Sequence, residues 1–267
     1  MSAGVDVTTV DVCDSTNGVL LARARAGGID RPTVLRALAQ TAGRGRLGRS
    51  WHMEPGASLA FSIAWPLRRA PEALSLAVGV ALADALEPGD AAPCRIRLKW
   101  PNDLWLDGPR KLAGILVEVV SGVAVVGVGL NVRPLRLSDV ASLAELDPAA
   151  TADGTFARLW PRLVGALGRF DREGFAADVA RRFDARDGLR GTPVRATVSG
   201  GRSDDRSDDR RGGRTEGRAD GVAEGLADGV EADGALRLRT AVGIARVTSG
   251  EVLLLRPVRA SDGAAAC

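Results

Sequence analysis

Ser121-Gly122 stands between two long apolar runs, residues 111–120 and 123–132. A junction this short and this polar, set between β-prone runs, spells a β-hairpin. The second run closes on Gly127-Val128-Gly129-Leu130-Asn131 and reads as the end of a buried strand. Its small residues either leave room for a ligand or let two strands pack closely. Asn131 would then lie at the rim as donor and acceptor. A fold that accepts this hairpin needs a sheet with a covered face, and the other segments supply strands and helices for it.

Residues 5–12 read as a strand around Val5, Val7, Val10 and Val12. Asp14-Ser15-Thr16-Asn17 are helix-capping types, followed by an apolar stretch that Gly27-Gly28 stops. Residues 33–39 and 57–65 are further strands. A helix opens at Pro71-Glu72, is apolar on nearly every side from Leu74 to Leu86, and closes at Pro88-Gly89; such a helix lies inside a core. Residues 94–99 alternate strictly, and Trp100-Pro101-Asn102-Asp103 breaks them. Residues 104–106 form a short strand before the turn Asp107-Gly108-Pro109. Residues 154–184 read as helix in two pieces.

The pattern changes near residue 190. Strands are expected at 192–198, 221–227, 235–239, 241–247 and 251–256. Between the first two, Ser203-Asp204-Asp205-Arg206 repeats as Ser207-Asp208-Asp209-Arg210. Residues 200–220 hold no Val, Ile, Leu or aromatic side chain and are expected to be a disordered loop. The organisation expected is an α/β domain over 1–188 and a small β-barrel over 189–260. A length of 267 residues, 45% of them hydrophobic, suits one large and one small domain.

Absences narrow the chemistry. His52 is the one histidine, so a site built on several His ligands is excluded. His52 itself reads as structural. Cys13, Cys94 and Cys267 are far apart, which argues against a disulfide framework and fits a reducing compartment, hence a cytoplasmic location. No run is long and apolar enough for a membrane span, and the N-terminus lacks a secretion signal. A net charge of +3 does not by itself argue for nucleic acid. All but two of the 36 basic residues are arginine; the exceptions are Lys99 and Lys111. Each is either a strand-end surface charge or a compact amine kept where a planar guanidinium would fail.

The loop Gly43-Arg44-Gly45-Arg46-Leu47-Gly48-Arg49 carries three glycines and three arginines. It matches the dinucleotide fingerprint as a string, yet Trp51-His52-Met53-Glu54-Pro55-Gly56 opens no helix behind it, so that reading fails. Arginines supply bidentate donors for phosphate or carboxylate, and glycines make the loop costly to order alone. The loop is therefore a flap that orders around an anion, or a solvated basic loop that touches nucleic acid nonspecifically. Ser15-Thr16-Asn17 either caps a helix or also binds a polar head group. Glu118 falls on a face with Leu112, Leu116 and Val120, where it should pair with a basic side chain.

Five strings occur in order: Asp14-Ser15-Thr16-Asn17; Gln40-Thr41-Ala42-Gly43-Arg44-Gly45-Arg46-Leu47-Gly48-Arg49-Ser50-Trp51; Lys99-Trp100-Pro101-Asn102-Asp103; Lys111-Leu112-Ala113-Gly114-Ile115-Leu116-Val117-Glu118; and Gly127-Val128-Gly129-Leu130-Asn131-Val132. Together they resemble the biotin–protein ligases (biotin–[acetyl-CoA-carboxylase] ligases). The resemblance implies an α/β catalytic domain related to class II aminoacyl-tRNA synthetases and lipoate ligases, followed by a small C-terminal SH3-like β-barrel. It implies that biotin is activated by ATP, with Mg²⁺ assisting, as biotinyl-5′-AMP. The biotinyl group then passes to a lysine of a biotin carboxyl carrier protein domain.

By the same resemblance Lys111 and Arg46 are catalytic. Ser15, Thr16, Asn17, Gln40, Gly43, Arg44, Gly45, Arg46, Lys111 and Gly129 bind biotin. Arg46, Arg49, Trp51, Lys99, Asn102, Lys111 and Asn131 bind ATP; metal ligands are not assigned. Only 14 residues precede Ser15, too few for the winged helix of repressor relatives, so no sequence-specific DNA binding is expected. Such ligases often pair through the catalytic sheet, which allows a homodimer without requiring one. The alternatives are a lipoate–protein ligase and a nucleic-acid-binding regulator that uses the Arg-rich loop.

Overall fold

The structure is a computed structural model and describes residues 4–88, 94–198 and 221–255. It divides into two compact units after Gly188, with Val230–Gly234 counted in the first.

The first unit is built on the strands β1 (Asp6–Cys13), β2 (Thr33–Gln40), β3 (Ser58–Pro66), β4 (Ile96–Lys99), β5 (Asp103–Leu106), β6 (Arg110–Val120) and β7 (Val123–Asn131). They form one sheet in the order β1-β2-β3-β7-β6-β5-β4. β1 and β2 run parallel and the other neighbours antiparallel. The hairpin legible at Ser121-Gly122 puts β6 and β7 inside this sheet. Val120 pairs with Val123, and both turn residues have positive φ, 50° and 74°. That pair of conformations matches the twist of the flanking strands, and glycine takes the second at no steric cost.

Helix α1 (Thr16–Arg25) lies on one face of the sheet. Its Leu20, Leu21 and Ala24 pack on Leu35, Ala64, Val123 and Val125. Helices α2 (Leu74–Leu86), α3 (Ala152–Glu173) and α4 (Ala177–Arg186) complete the unit. α2 is buried nearly all round, as its composition demands. It begins at Leu74 rather than Pro71, because Ala73 adopts a left-handed φ of 60° that no helix continues through. α3 buries Phe156, Leu159, Leu163, Leu167 and Phe170, one stripe at helical spacing. The helical stretch does break in two, at Gly174 with φ 74° rather than at Pro161. Phe61 and Phe156 meet edge to face at 5.4 Å, joining α3 to β3.

The second unit holds β8 (Pro193–Val198), β9 (Val222–Val230), β10 (Leu236–Thr240), β11 (Gly243–Val247) and β12 (Gly250–Leu254). They form an antiparallel sheet in the order β11-β10-β9-β8-β12. This is the small all-β module expected, but open. Among the described residues no ladder joins β11 to β12 to close a barrel. Val194, Ala196, Ala227, Leu236, Leu238, Val247 and Val252 form its buried side. The loop expected to be disordered at 200–220 lies outside the described residues.

Candidate active site

The sheet face that α1 covers continues past the helix N-terminus, and there its side chains vanish. In register, Ala60 pairs with Gly129 and Gly129 with Gly114. One step along, Ser62 pairs with Gly127 and Gly127 with Leu116. The glycines leave a floor without bulk, and three side chains occupy the space above it. A Cβ on Gly127 would stand 2.3 Å from Asn17 Oδ1; one on Gly129, 2.3 Å from the Trp51 indole; one on Gly114, 3.2 Å from Lys111 Nζ. At Gly127 and Gly129 those approaches are closer than a Cβ could tolerate, which is the physical reason for glycine there.

The head of this floor is polar. Ser15 caps α1, accepting from Gly18 N–H at 3.4 Å; a cap contributes about 1 kcal/mol. Thr16 and Asn17 turn onto the sheet. Thr16 donates to Gln40 Oε1 from its backbone N–H at 2.8 Å and its hydroxyl at 3.2 Å. Ser62 Oγ lies 2.7 Å from Thr16 Oγ1 and 2.6 Å from Asn17 Oδ1. Asn17 Nδ2 donates to Glu118 Oε2 at 3.0 Å and to Leu116 O at 3.3 Å. The capping reading of Ser15 therefore holds, and Thr16 and Asn17 form a polar cluster facing the floor.

At the other end Lys111 Nζ sits 2.8 Å from Asp103 Oδ1 and 5.8 Å from the centre of the Trp51 ring. The start of β6 is held by a neighbouring segment: Lys111 N–H donates to Asp139 O at 3.0 Å, and Ala141 N–H donates to Lys111 O at 2.9 Å. Asn131 Nδ2 donates to Lys111 O and Ala141 O, both at 3.1 Å. Its two N–H bonds are thereby committed, so Asn131 secures the lysine's strand rather than offering donors to a ligand.

The Gly/Arg loop is folded. Gly45 N–H donates to Arg49 O at 2.7 Å, Arg49 N–H to Arg46 O at 3.1 Å and Trp51 N–H to Gly43 O at 2.9 Å. These bonds make a small hairpin whose apex, Leu47, has φ 54°. Its arginines reach inward: Arg44 Nη2 donates to Glu118 Oε1 at 2.9 Å, and Arg46 Nη1 to Asn102 Oδ1 at 3.3 Å. Those bonds offset the entropy that was expected to keep the loop open without an anion. Gly43 is required by close approach, since a Cβ there would fall 2.5 Å from Trp51 O. The buried Trp51 Nε1 meets no protein acceptor, a cost of about 1–3 kcal/mol that a ligand acceptor would remove.

Lys99 lies further out. Its amine is 5.7 Å from the Trp105 ring centre. With Asn102, Asp103, Ser75, Ile115 and Phe183 it lines a shallow cleft. Asp103 thus adjoins both lysines. Arg49 gives its carbonyl to the loop hairpin, and His52 is exposed.

Ser62 escaped the sequence reading, although a hydroxyl inside the apolar run Leu59-Ala60-Phe61-Ser62-Ile63-Ala64 was its signal. The segment Asp139–Ala141 gave no signal at all.

Residues 9–134 match the biotin/lipoate A/B protein ligase family, and residues 214–255 match the biotin protein ligase C-terminal domain. The chain is 39% identical over 197 residues to the biotin--[acetyl-CoA-carboxylase] ligase of Mycobacterium tuberculosis, covering 70% of this chain and 73% of that one. It is 35% identical over 209 residues to the bifunctional ligase/repressor BirA of Escherichia coli, covering 73% of this chain and 63% of that protein's length. Among solved structures, the Aquifex aeolicus biotin protein ligase in complex with biotin and ATP superposes with a TM-score of 0.72 at 24% identity, over 94% of this chain and 99% of that one.

Proposed function

From the premise that the chain belongs to the biotin/lipoate A/B protein ligase family, we propose that it activates biotin with ATP and transfers it to a lysine of a biotin carboxyl carrier protein domain. The observation that carries this reading is Lys111 at the end of a glycine floor. A polar cluster lies at the floor's other end, and a folded Arg loop is latched beside it.

The Ser15–Thr16–Asn17–Gln40 cluster offers donors and acceptors suited to the ureido group of biotin's bicyclic head. Two anions must then approach each other, a carboxylate and a triphosphate. Fixed positive charge at Lys111 and Arg46 lowers that repulsion, so catalysis is mainly positioning and electrostatics. A biotin carboxylate oxygen attacks the α-phosphorus, the bond to the bridging oxygen breaks, and pyrophosphate leaves. The carrier's neutral lysine amine then attacks the acyl carbon of the mixed anhydride, AMP departs, and the amine loses its extra proton. Arg44, Gly45 and Arg46 form a lid that keeps water from the anhydride between the two steps.

Lys99 and Asn102, on the cleft beside Asp103, with Trp51 and Arg49 flank the nucleotide. Asn131 would meet the nucleotide through its Oδ1, since both Nδ2 hydrogens are bonded to Lys111 O and Ala141 O. Among the described residues no three His, Cys, Asp or Glu side chains converge to hold a metal. Mg²⁺ would arrive on the ATP phosphates, as this ion commonly does, with Asp103 beside the lysine placed to meet it. Free Cys13 and Cys94 support a cytoplasmic setting. Among the described residues no helix is long and apolar enough to cross a membrane.

Biotin is favoured over lipoate by the match to the biotin protein ligase C-terminal domain. The nucleic-acid reading is weakened because Arg44 and Arg46 are engaged by Glu118 and Asn102. The test is transfer of labelled biotin, with ATP, to the lysine of a purified carrier domain. Label appearing from lipoate instead, or from neither, overturns the reading.

A further inference from the structure

We propose that Glu118 is the positioning residue that sets both the hydrogen-bond polarity of the head pocket and the closure of the Arg loop, and so selects a cyclic-urea head group. This inference rests on the function proposed above and names a residue outside its binding and catalytic set.

Glu118 stands on the floor-side face of β6, beside Leu116, Val120 and its cross-strand neighbour Val125. A carboxylate among such neighbours needs partners, and each oxygen has one from a different element. Oε1 accepts from Arg44 of the loop at 2.9 Å, and Oε2 accepts from Asn17 of α1 at 3.0 Å. An ionised carboxylate only accepts. Asn17 must therefore turn its Nδ2 toward Glu118 and Leu116 O, and its Oδ1 toward Ser62.

The polarity then propagates. Thr16 spends its hydroxyl proton on Gln40 Oε1. The single Ser62 proton is left to the two acceptors Thr16 Oγ1 and Asn17 Oδ1. Gln40 Oε1 is committed, and Gln40 Nε2 faces the space at Gly43, 3.0 Å from where a Cβ would be. One negative charge thus orders the amides and hydroxyls of the pocket. The same charge holds Arg44 at the root of the loop, where the pair is half-exposed on the arginine side, 49% against 25% for Glu118.

Glu118→Gln removes the charge at constant shape, and Arg44→Gln removes the partner. Biotin affinity without ATP and the steady-state kinetics of pyrophosphate release separate positioning from chemistry. For Glu118→Gln, the cost of losing a charged hydrogen bond predicts a rise of roughly ten- to a hundredfold in biotin Kd and KM, with kcat at saturating biotin within about threefold, since that substitution leaves Lys111 and Arg46 in place. The loop is read without any ligand, by the rate of tryptic cleavage after Arg46 and Arg49, the sites that both variants keep. Either variant should raise that rate about tenfold, and the double variant should match the singles, because both remove one pair.

A biotin Kd within twofold of the parent, a fall in kcat at unchanged KM, or a loss confined to Tm overturns the selection half. Unchanged cleavage, or additive singles, overturns the clamp. A parent that binds no biotin defeats the proposed function and the selection half together, while the cleavage rates still decide the clamp.

Discussion

Replacing Lys111 with Met should abolish most adenylation, and the loss can be worked from the site. The lysine amine is the cation that faces the floor at its reactive end, 2.8 Å from Asp103. Two unit charges about 4 Å apart interact by about 4 kcal/mol at the effective dielectric of about 20 that suits such sites. That is roughly a thousandfold in rate. The substitution also strips Asp103 of its partner and leaves a second negative charge facing two incoming anions. Lys111→Met should therefore fall at or below a thousandth of the parent, and adding Asp103→Asn should recover part of the loss. Lys111→Arg keeps the charge but not the shape. The compact amine meets Asp103 Oδ1 at 2.8 Å, a placement that a longer planar fork does not reproduce, so this variant should also lose about tenfold or more. The assay is biotin-dependent pyrophosphate release, with Tm as the control for folding. If Lys111→Met stayed within about threefold of the parent, the electrostatic role would be wrong.

Three further outcomes follow from the same geometry. Arg46→Ala removes the bond to Asn102 and should release biotinyl-AMP roughly tenfold faster, measured by filter capture of the labelled intermediate; an unchanged off-rate refutes the lid. Gly129→Ala would place a Cβ 2.3 Å from the Trp51 indole; the displaced ring should cost about 1–3 kcal/mol of stability and weaken biotin binding, and calorimetry showing neither would contradict the close approach. In the helical layer, burial pushes the Glu87 carboxyl up, but hydrogen bonds from Arg186 and from the backbone N–H groups of Arg95 and Ile96 hold it below the ordinary glutamate value overall. Its stabilisation is complete above that ordinary value and is lost as pH falls through the lowered one. Glu87→Gln should therefore flatten the acid limb of the Tm–pH curve, and an unchanged limb would show that the Glu87–Arg186 pair contributes nothing there.

Much of this fold could be read in advance because local chemistry and tertiary packing agree in it. Ser121-Gly122 specifies a turn here, and the largely apolar 74–86 segment reads as an interior helix. Where they diverge, sequence reasoning fell short. Ala73 takes a left-handed conformation that no composition announces. The Gly/Arg loop looked too costly to order alone, yet cross-limb hydrogen bonds and two distant acceptors, Glu118 and Asn102, fold it. Glu118 was expected to find a basic partner, and it finds Arg44, 74 residues away in sequence. Asn131 was read as a rim group because it ends a strand. Which way its amide points depends on the segment Asp139–Ala141, whose path β6 sets only after folding. Ser62 is a similar case: its meaning lies in Thr16 and Asn17 across the sheet.

The most direct measurement is a single-turnover reaction of the purified chain with biotin and ATP, followed by mass analysis of the bound product. One equivalent of biotinyl-5′-AMP retained with stoichiometric pyrophosphate release, and no adduct when lipoate replaces biotin, is the result expected. No pyrophosphate with either acid, or an adenylate formed only from lipoate, would contradict it.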